Sequence, residues 1–320
     1  MSGEIRLLDP EASSDPKHGC DPEMRDVEAR LAAGWLLLDK PAGPSSHQVS
    51  AWARDMLGLD KMGHGGTLDP FATGALMLLT GGAMRLTSRI LKGGKQYVGV
   101  IRIPADTSEE DLAEGIKNLT GRIHNVPPKE SAVKIQVRQR TINSFDLIER
   151  DERIVLVVID CEAGTYIRTM MRDLGLFLGG PVELIELRRS RTSEHLESEA
   201  VTMHQLADAI HLWREHDRPE AMLRLVQPVE TLLDSLPRIV VKDGAAAALA
   251  HGAPLARPGV VSVDLSANEG DEVLVVTMKG EAVSLATMRV DGDAVESMKS
   301  GEIARSNTVL MSTEVYPKRW

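Results

Sequence analysis

The order of strand-like and helix-like segments is the feature that most constrains the fold of this chain. An uninterrupted apolar run, Trp35–Leu38, is followed by turn-forming residues and predicts a buried strand. A helix is expected next, because Ser45 and Gln48 have the spacing of a capping box and Gly58 ends the apolar pattern. Four residues of this helix share helical spacing and are expected to face the core: Val49, Trp52, Ala53 and Met56.

Later segments continue to mix strands and helices without a regular βαβ order. We predict strands over Gln96–Ile103 and Ile154–Cys161, and a helix from about Ser108 to Asn118 that the pair Thr107 and Glu110 would cap. After the second strand, a turn leads into a helix with an apolar stripe: Ile167, Met170, Met171, Leu174 and Leu178. This order favours an α+β domain over a doubly wound one.

The texture of the chain differs at its two ends. From Pro237 onward, short apolar runs alternate with glycine and proline turns, which predicts a small β-barrel. Residues 1–33 are polar, with eight acidic residues against four basic ones, and predict an arm that is mobile or lies on a neighbouring surface. We therefore divide the chain into this arm, a large domain over residues 34–235 and a small domain over residues 236–320.

The balance of charges limits how the chain can bind nucleic acid. The 37 Lys and Arg residues against 47 Asp and Glu give a net charge of −10, which argues against binding through bulk positive charge. Two short segments are nevertheless locally basic: Lys134, Arg138 and Arg140 in one, and Arg188, Arg189 and Arg191 in the other. Each could follow a phosphate backbone or be a solvated loop or strand edge, and only its position relative to a catalytic motif decides between them.

Several classes of protein are excluded by the rest of the composition. No stretch approaches ~20 uninterrupted apolar residues, and the first thirty residues lack a basic start followed by an apolar block. Cys20 and Cys161 have no metal-ligand spacing and provide no disulfide framework. We therefore expect a cytoplasmic protein with no membrane association, no secretion signal and no metal site.

The most informative segment is GHGGTLDPFATG, residues 63–74, whose glycines, Asp-Pro pair and Thr-Gly pair predict a loop between structured elements. Asp69 followed by Pro70 could simply cap a helix that begins with proline. An isolated Asp-Pro pair has that structural role far more often than a catalytic one. The complete segment is much rarer, and it indicates a functional site at Asp69.

This segment closely resembles the signature of the TruB/dyskerin pseudouridine synthases, in which the aspartate of the loop is the catalytic carboxylate. By that resemblance, Asp69 is the catalytic nucleophile or base. Other segments of the family recur in the same order along the chain: GWLLLDKPAGPSS (34–46), KQY (95–97), PPKESAVK (127–134), GTYIRTMMRDLG (164–175) and LRRSR (187–191). The resemblance implies an RNA pseudouridine synthase with an α+β fold, in which helices flank a mixed, largely antiparallel sheet.

Helix electrostatics and the resemblance agree on the role of Arg168. This arginine lies in the first turn of its predicted helix, where the positive end of the dipole disfavours a cation by roughly a few tenths of a kcal/mol. An anionic partner is therefore expected, and the resemblance supplies Asp69. Such a pair would keep the carboxylate ionised and oriented. The alternative is that Arg168 is an ordinary exposed helix residue.

Further substrate contacts follow from the resemblance. It implies that Tyr97 stacks against the target base, that His64 contacts the RNA and that Leu187 forms an apolar wall of the uracil pocket. Strand packing, a structural role in the loop and ordinary core packing are the respective alternatives. The first basic segment is expected to bind the substrate: Lys134, Arg138 and Arg140. No cofactor is implied, because the uracil is detached from its ribose, turned over and rejoined through its carbon 5.

The C-terminal part resembles a PUA domain, the small RNA-binding barrel that follows the catalytic domain in one branch of this family. The segment EVYPKRW (314–320) is similar to archaeal dyskerin-like proteins, and the acidic arm resembles the archaeal form, whose arm packs on the PUA domain. This branch implies rRNA and tRNA substrates, a box H/ACA guide RNA and small H/ACA protein subunits. The sequence departs from the family in two ways. The segment IQVRQRTI (135–142) is less basic than the family leads us to expect. The Lys-rich tails of nuclear relatives are absent, and this second departure favours a prokaryotic cell.

Two alternatives to a guided enzyme remain open at this stage. A stand-alone synthase would find the uridine of the tRNA T-loop (position 55) without a guide. A non-catalytic scaffold would only stabilise guide RNAs, but it has no need of the set Asp69, Tyr97 and Arg168. The RNA that co-purifies with the protein distinguishes a guided enzyme from a stand-alone one.

Overall fold

The computed structural model describes residues 4–128 and 134–317. These residues form two compact units by their contacts. Of the described residues, the large unit comprises 36–79, 86–128 and 134–217, and the terminal unit comprises 4–35, 80–85 and 218–317. Among the described residues, no helix has the length and apolar character needed to cross a membrane.

The helices and strands follow one another irregularly along the chain. The strands are β1 (Ile5–Leu7), β2 (Gly34–Lys40), β3 (Met62–His64), β4 (Thr73–Thr80), β5 (Lys95–Arg102), β6 (Gly121–Asn125), β7 (Arg138–Asp151), β8 (Ile154–Cys161), β9 (Glu183–Thr192), β10 (His195–Leu196), β11 (Gln227–Pro228), β12 (Arg238–Val241), β13 (Leu255–Ala256), β14 (Val260–Asp264), β15 (Glu272–Thr277), β16 (Ala282–Met288) and β17 (Glu302–Val309). The α-helices are α1 (Val27–Ala32), α2 (Ser46–Leu57), α3 (Thr87–Lys92), α4 (Glu109–Asn118), α5 (Ile167–Phe177), α6 (Met203–His216), α7 (Glu220–Leu225) and α8 (Asp243–Ala250).

The large unit is built on a mixed sheet with the strand order β2-β4-β9-β5-β8-β7-β6, to which β3 adds beside β4 and β10 beside β9. Strand β5 pairs antiparallel with β8 and β9, and β7 pairs antiparallel with β6 and β8, whereas β4 and β9 are parallel. Buried residues of this sheet and of helices α4 and α5 form one apolar core. The predicted α+β class with a largely antiparallel sheet is therefore confirmed.

The six helices and strands that the sequence predicts in the large unit are present, with two errors in their details. Helix α2 has the predicted capping box and ends at Gly58 in a left-handed conformation. Its buried face, however, follows the four-residue spacing of Val49, Ala53 and Leu57, so Trp52 lies off that face and is 48% exposed. Helix α4 begins one residue later than predicted, because the side chain of Ser108, and not that of Thr107, accepts the capping hydrogen bond. The Thr107 hydroxyl instead donates to the Pro104 carbonyl at 2.9 Å.

The terminal unit contains a curled sheet with the order β1-β14-β12-β15-β16-β17-β13 around a second apolar core. Strand β1, from the acidic arm, pairs antiparallel with β14 at the edge of this sheet. One segment predicted to belong to an all-β barrel is a helix, because α8 is a nearly continuous run of alanine, the best helix former. Alanines of α8 pack into the core of the sheet.

Candidate active site

Asp69 lies in a loop between β3 and β4, not at the start of a helix. The capping interpretation of the Asp-Pro pair is therefore wrong, because Pro70 begins a turn that leads directly into strand β4. The loop is fixed on both sides of Asp69: the Leu68 N–H donates to the Ser46 hydroxyl at 2.8 Å, and the Ala72 N–H donates to the Asp69 carbonyl at 3.1 Å. Leu68 and Ala72 are buried, whereas the Asp69 side chain is 32% exposed.

Arg168 forms a two-point ion pair with Asp69. Its terminal nitrogen donates to Oδ1 at 2.8 Å, and its Nε lies 2.8 Å from Oδ2. Two nitrogens of the guanidinium thus face the two oxygens of the carboxylate, which fixes the direction of the carboxylate. Arg168 is the second residue of α5, as the sequence predicted, and its side chain is 36% exposed. The pair is accessible from solvent, so a substrate can reach it.

The first turn of α5 is attached to the end of strand β6. Asn125, which is 1% exposed, accepts a hydrogen bond from the Tyr166 N–H at 2.9 Å and donates one to the Tyr166 carbonyl at 3.3 Å. The Thr169 hydroxyl donates to the Val126 carbonyl at 2.9 Å. Tyr166 has no side-chain cap of its own, so Asn125 satisfies an N–H at the helix start from another strand. These bonds flank Arg168 on both sides in sequence.

Lys40 is a fully buried cation below the Asp69 loop. Its Nζ donates to the carbonyls of Pro41 and Ala72 at 2.8 Å and to that of Pro70 at 3.1 Å. The pKa of the Lys40 ammonium is lowered, mainly by burial. The charge of Asp69 opposes this shift, and that of Arg189 adds to it. The ammonium thus ties the end of β2 to the turn that follows Asp69.

Tyr97 and Leu187 occupy one apolar cluster beneath the loop, together with Leu68 and Ala72. Tyr97 is 8% exposed and lies opposite Arg189 in the pairing of β5 with β9. Burial raises the pKa of its hydroxyl, so the phenol is neutral at pH 7. Both residues thus belong to the apolar core that also contains Leu68 and Ala72 of the Asp69 loop.

His64 ends strand β3, five residues before Asp69, and contacts a second histidine. Its ring lies 4.8 Å from that of His47, centre to centre, in an edge-to-face arrangement at 89°. Burial, followed by the charges of His47 and Arg189, lowers the pKa of His64, so its imidazole is neutral at pH 7. Within the described residues, its Nδ1 has no hydrogen-bond partner. A neutral, partly buried imidazole can still offer a hydrogen bond to a substrate.

The two basic segments have different surroundings. Lys134 is exposed and Arg138 is half-buried at the start of β7, while Arg140 lies 3.8 Å from Glu162 and packs against Gly164 just before α5. The matching family segment, PPKESAVK, lies partly outside the described residues, which exclude 129–133.

The arginines of β9 are engaged within the protein. Arg188 forms two hydrogen bonds with Asp39 and Arg191 pairs with Asp160. Arg189 is 1% exposed and donates to the carbonyls of Ala75 at 2.7 Å and Gly66 at 3.1 Å. The hypothesis that this cluster follows a phosphate backbone is therefore wrong for Arg189, because its side chain is buried.

Asn125 and Lys40 are the two residues that sequence reasoning missed. Lys40 follows an apolar run at a place where the local pattern predicts only the beginning of a turn, although it belongs to the family segment GWLLLDKPAGPSS (34–46). Asn125 carries no local signal, since its partner Tyr166 is 41 residues away in sequence. A buried polar side chain is recognised only when its partners are known.

Models of known families match most of the chain. The model of the TruB family pseudouridylate synthase N-terminal domain matches residues 54–167, and that of the tRNA pseudouridylate synthase B C-terminal domain matches residues 168–234. The PUA domain matches residues 237–310 and the DKCLD domain residues 9–50.

Curated relatives and solved structures are similar over nearly the full length. The "Probable tRNA pseudouridine synthase B" of Methanopyrus kandleri is 42% identical over 97% of this chain and 92% of the relative, and that of Pyrococcus horikoshii is 38% identical over 99% and 95%. An H/ACA RNP bound to a substrate RNA containing 2′-deoxyuridine includes a chain that is 34% identical, with a TM-score of 0.87 over 100% of this chain and 98% of that one. The archaeal box H/ACA Nop10-Cbf5 complex includes a chain that is 35% identical, with a TM-score of 0.85 over 100% and 99%.

Proposed function

The chain belongs to the TruB family of pseudouridine synthases, and we propose that it isomerises uridine in rRNA and tRNA as the catalytic subunit of a guide-RNA-directed H/ACA particle. The observation that carries the proposal is the two-point ion pair of Asp69 and Arg168 on a solvent-accessible loop. We also propose that the protein acts in the cytoplasm.

The reaction breaks the bond between the ribose C1′ and N1 of uracil and forms one between C1′ and C5. The proton on C5 is lost and N1 gains one, so the product is an isomer of the substrate. We propose that Asp69 acts as nucleophile or base, with the Arg168 guanidinium facing both of its oxygens. Arg168 also aims the carboxylate, because its own helix start is fixed to β6.

The target uridine must leave its stack to reach Asp69, at a cost of about a few kcal/mol. We propose that Tyr97 and Leu187 form the surface under the uracil ring and that His64 contacts the RNA that holds the uridine in this state. Lys134, Arg138 and Arg140 would bind the backbone of the substrate strand near the site. These contacts are local, which is compatible with a net charge of −10.

We further propose a division of labour along the chain, with catalysis in residues 34–235 and the guide RNA held by the PUA domain over residues 236–320, on which the arm of residues 1–33 packs. Small H/ACA protein subunits would complete the particle. Support comes from relatives: the similar solved chains belong to H/ACA assemblies, one of them a Cbf5-Nop10-Gar1 complex.

A stand-alone tRNA synthase is the second candidate, because the curated relatives carry the name tRNA pseudouridine synthase B. The RNA that co-purifies with the native protein separates the two. Guide RNAs with box H/ACA elements would support the guided enzyme. Recovery of tRNA alone, together with modification of a tRNA by the isolated protein at the rate of the assembled particle, would support the stand-alone enzyme. Loss of all pseudouridine formation in the Asp69→Asn variant is required by both.

A further inference from the structure

A groove of about 760 Å³ begins at Arg168 and follows one face of helix α5. The helix residues that line it recur at helical spacing: Arg168, Met171, Arg172 and Gly175. Phe71, from the loop of Asp69, and Pro181, before strand β9, also line the groove. The volume falls within the range of small-molecule sites, roughly 300–1,000 Å³. The groove therefore continues the candidate active site along α5.

Phe71 is an aromatic side chain left partly exposed beside the catalytic carboxylate. It is 37% exposed, whereas Leu68 and Ala72 in the same loop are 3% and 0% exposed. A single exposed apolar residue needs no explanation by itself. This one, however, shares a cavity with Arg168, the residue bonded to Asp69. An aromatic face in that place can stack with a base.

Arg172 supplies a positive charge one turn further along the same helix. Its side chain is 67% exposed and lies 3.1 Å from the adjacent Asp173. Arg168 and Arg172 are four residues apart and so lie on one face, with Cβ atoms about 5–6 Å from each other. Arg172 also donates two hydrogen bonds to Asp173, at 3.1 and 3.3 Å, but it is the more exposed of the two cations, so a phosphate can compete with Asp173 for it.

We propose that the end of the groove nearest Asp69 binds a nucleotide adjacent to the target uridine, with its base stacked on Phe71 and its phosphate bound by Arg172. This proposal rests on the proposed function, since an RNA strand that carries a flipped uridine must continue past Asp69 on both sides. The pairing of an aromatic face with a cation is the usual chemistry for single-stranded nucleotides. The apolar end of the groove, toward Pro181, would also suit a protein segment, and that outcome is tested below.

The test compares Phe71→Leu with the parent in the assembled particle of full-length protein, guide RNA and substrate oligonucleotide. Four substrates cover every combination of a normal base or an abasic site at the 5′ neighbour and at the 3′ neighbour of the target uridine. With normal bases, Phe71→Leu is expected to lower the second-order rate of pseudouridine formation by roughly 5- to 150-fold, the value of one stacked base. With an abasic site at one of the two neighbours, the variant and the parent should react equally.

Two controls make the result specific. Phe177→Leu changes a phenylalanine at the end of α5 that is 53% exposed and does not line the groove, and it should not alter the rate. Arg172→Gln should weaken substrate binding and reduce its salt dependence by about one phosphate contact.

Three outcomes are distinguishable. A loss in Phe71→Leu that is equal on normal and abasic substrates at both positions overturns the proposal. An unchanged RNA reaction with impaired recruitment of protein subunits overturns it in favour of a protein-docking groove. If the parent particle itself forms no pseudouridine, the proposed function fails, and not merely the role of Phe71.

Discussion

Replacing Asn125 by alanine tests whether the start of helix α5 controls catalysis. The substitution removes both hydrogen bonds between Asn125 and Tyr166, while the Tyr166 carbonyl keeps its bond from Met170. A hydrogen bond contributes about 0.5–1.5 kcal/mol, so the loss of two costs about 1–3 kcal/mol. For a unit of this size, that corresponds to a fall in Tm of about 2–12 °C.

The effect on the reaction should exceed what this loss of stability implies. Arg168 lies between Tyr166 and Thr169, so a loosened helix start moves the guanidinium relative to Asp69. A misplacement of about 1 Å can reduce a rate about 10²-fold, and we expect Asn125→Ala to lower the single-turnover rate by roughly 10- to 100-fold at saturating RNA. RNA affinity should change by less than about threefold, because the Asn125 side chain is buried and its bonds are to Tyr166.

Asn125→Asp and Asn143→Ala are the matched variants for this test. Aspartate keeps the acceptor for the Tyr166 N–H, but it loses the donor to the Tyr166 carbonyl and buries a charge, so only part of the rate should return. Asn143 also makes a side-chain hydrogen bond, to Asp160 at 2.7 Å, but it is exposed, and its alanine variant should react normally. A parental single-turnover rate in a destabilised Asn125→Ala protein would refute the role of this contact.

Four further outcomes are expected. Asp69→Asn should abolish pseudouridine formation and leave folding and RNA binding nearly intact, and turnover within tenfold of the parent contradicts its assignment. Arg168→Ala should reduce the single-turnover rate more than RNA affinity, and Arg168→Lys should not restore it fully, because lysine cannot present the planar fork of a guanidinium; a normal rate with weaker salt dependence would make Arg168 a backbone contact. Burial lowers the pKa of Lys95 to about 8. Unfolding releases that constraint, so the free energy of unfolding should rise by up to about 3 kcal/mol between pH 8 and 10.5, and urea titrations should show no such rise in Lys95→Met. Removal of residues 236–320 should weaken guide binding by roughly 10²-fold and spare the reaction on a saturating substrate, whereas equal guide affinity contradicts the proposed division of labour.

Most arginines near the site stabilise the protein and do not form a positive surface. Arg188 and Arg191 bind Asp39 and Asp160, and Arg189 holds backbone carbonyls inside the sheet. Counting charges along the sequence therefore overestimates the cations available to RNA. The pairing of these arginines within the protein also explains why few cations are proposed to contact RNA: Lys134, Arg138, Arg140 and Arg172.

Patterns that depend on neighbours in the chain were predicted correctly from the sequence. The capping box of Ser45 and Gln48, the strand Ile154–Cys161 and the place of Arg168 in the first turn of its helix each follow from spacing. The class of fold follows from the order of these elements, and the family from the ordered motifs. Trp52 was wrongly predicted to face the core. Helical spacing identifies an apolar stripe, but it does not show which edge of that stripe another element covers.

The tertiary structure alone decided which distant groups share the site. Asp69 and Arg168 are 99 residues apart, and helix electrostatics could only predict that Arg168 needs an anion. Lys40 binds carbonyls up to 32 residues away, and Asn125 satisfies an N–H that is 41 residues away. The sequence determined the chemistry of each side chain and those helices and strands whose local spacing is distinctive. The structure determined the partners of the buried polar groups, because desolvation makes each depend on atoms that the rest of the fold brings to it.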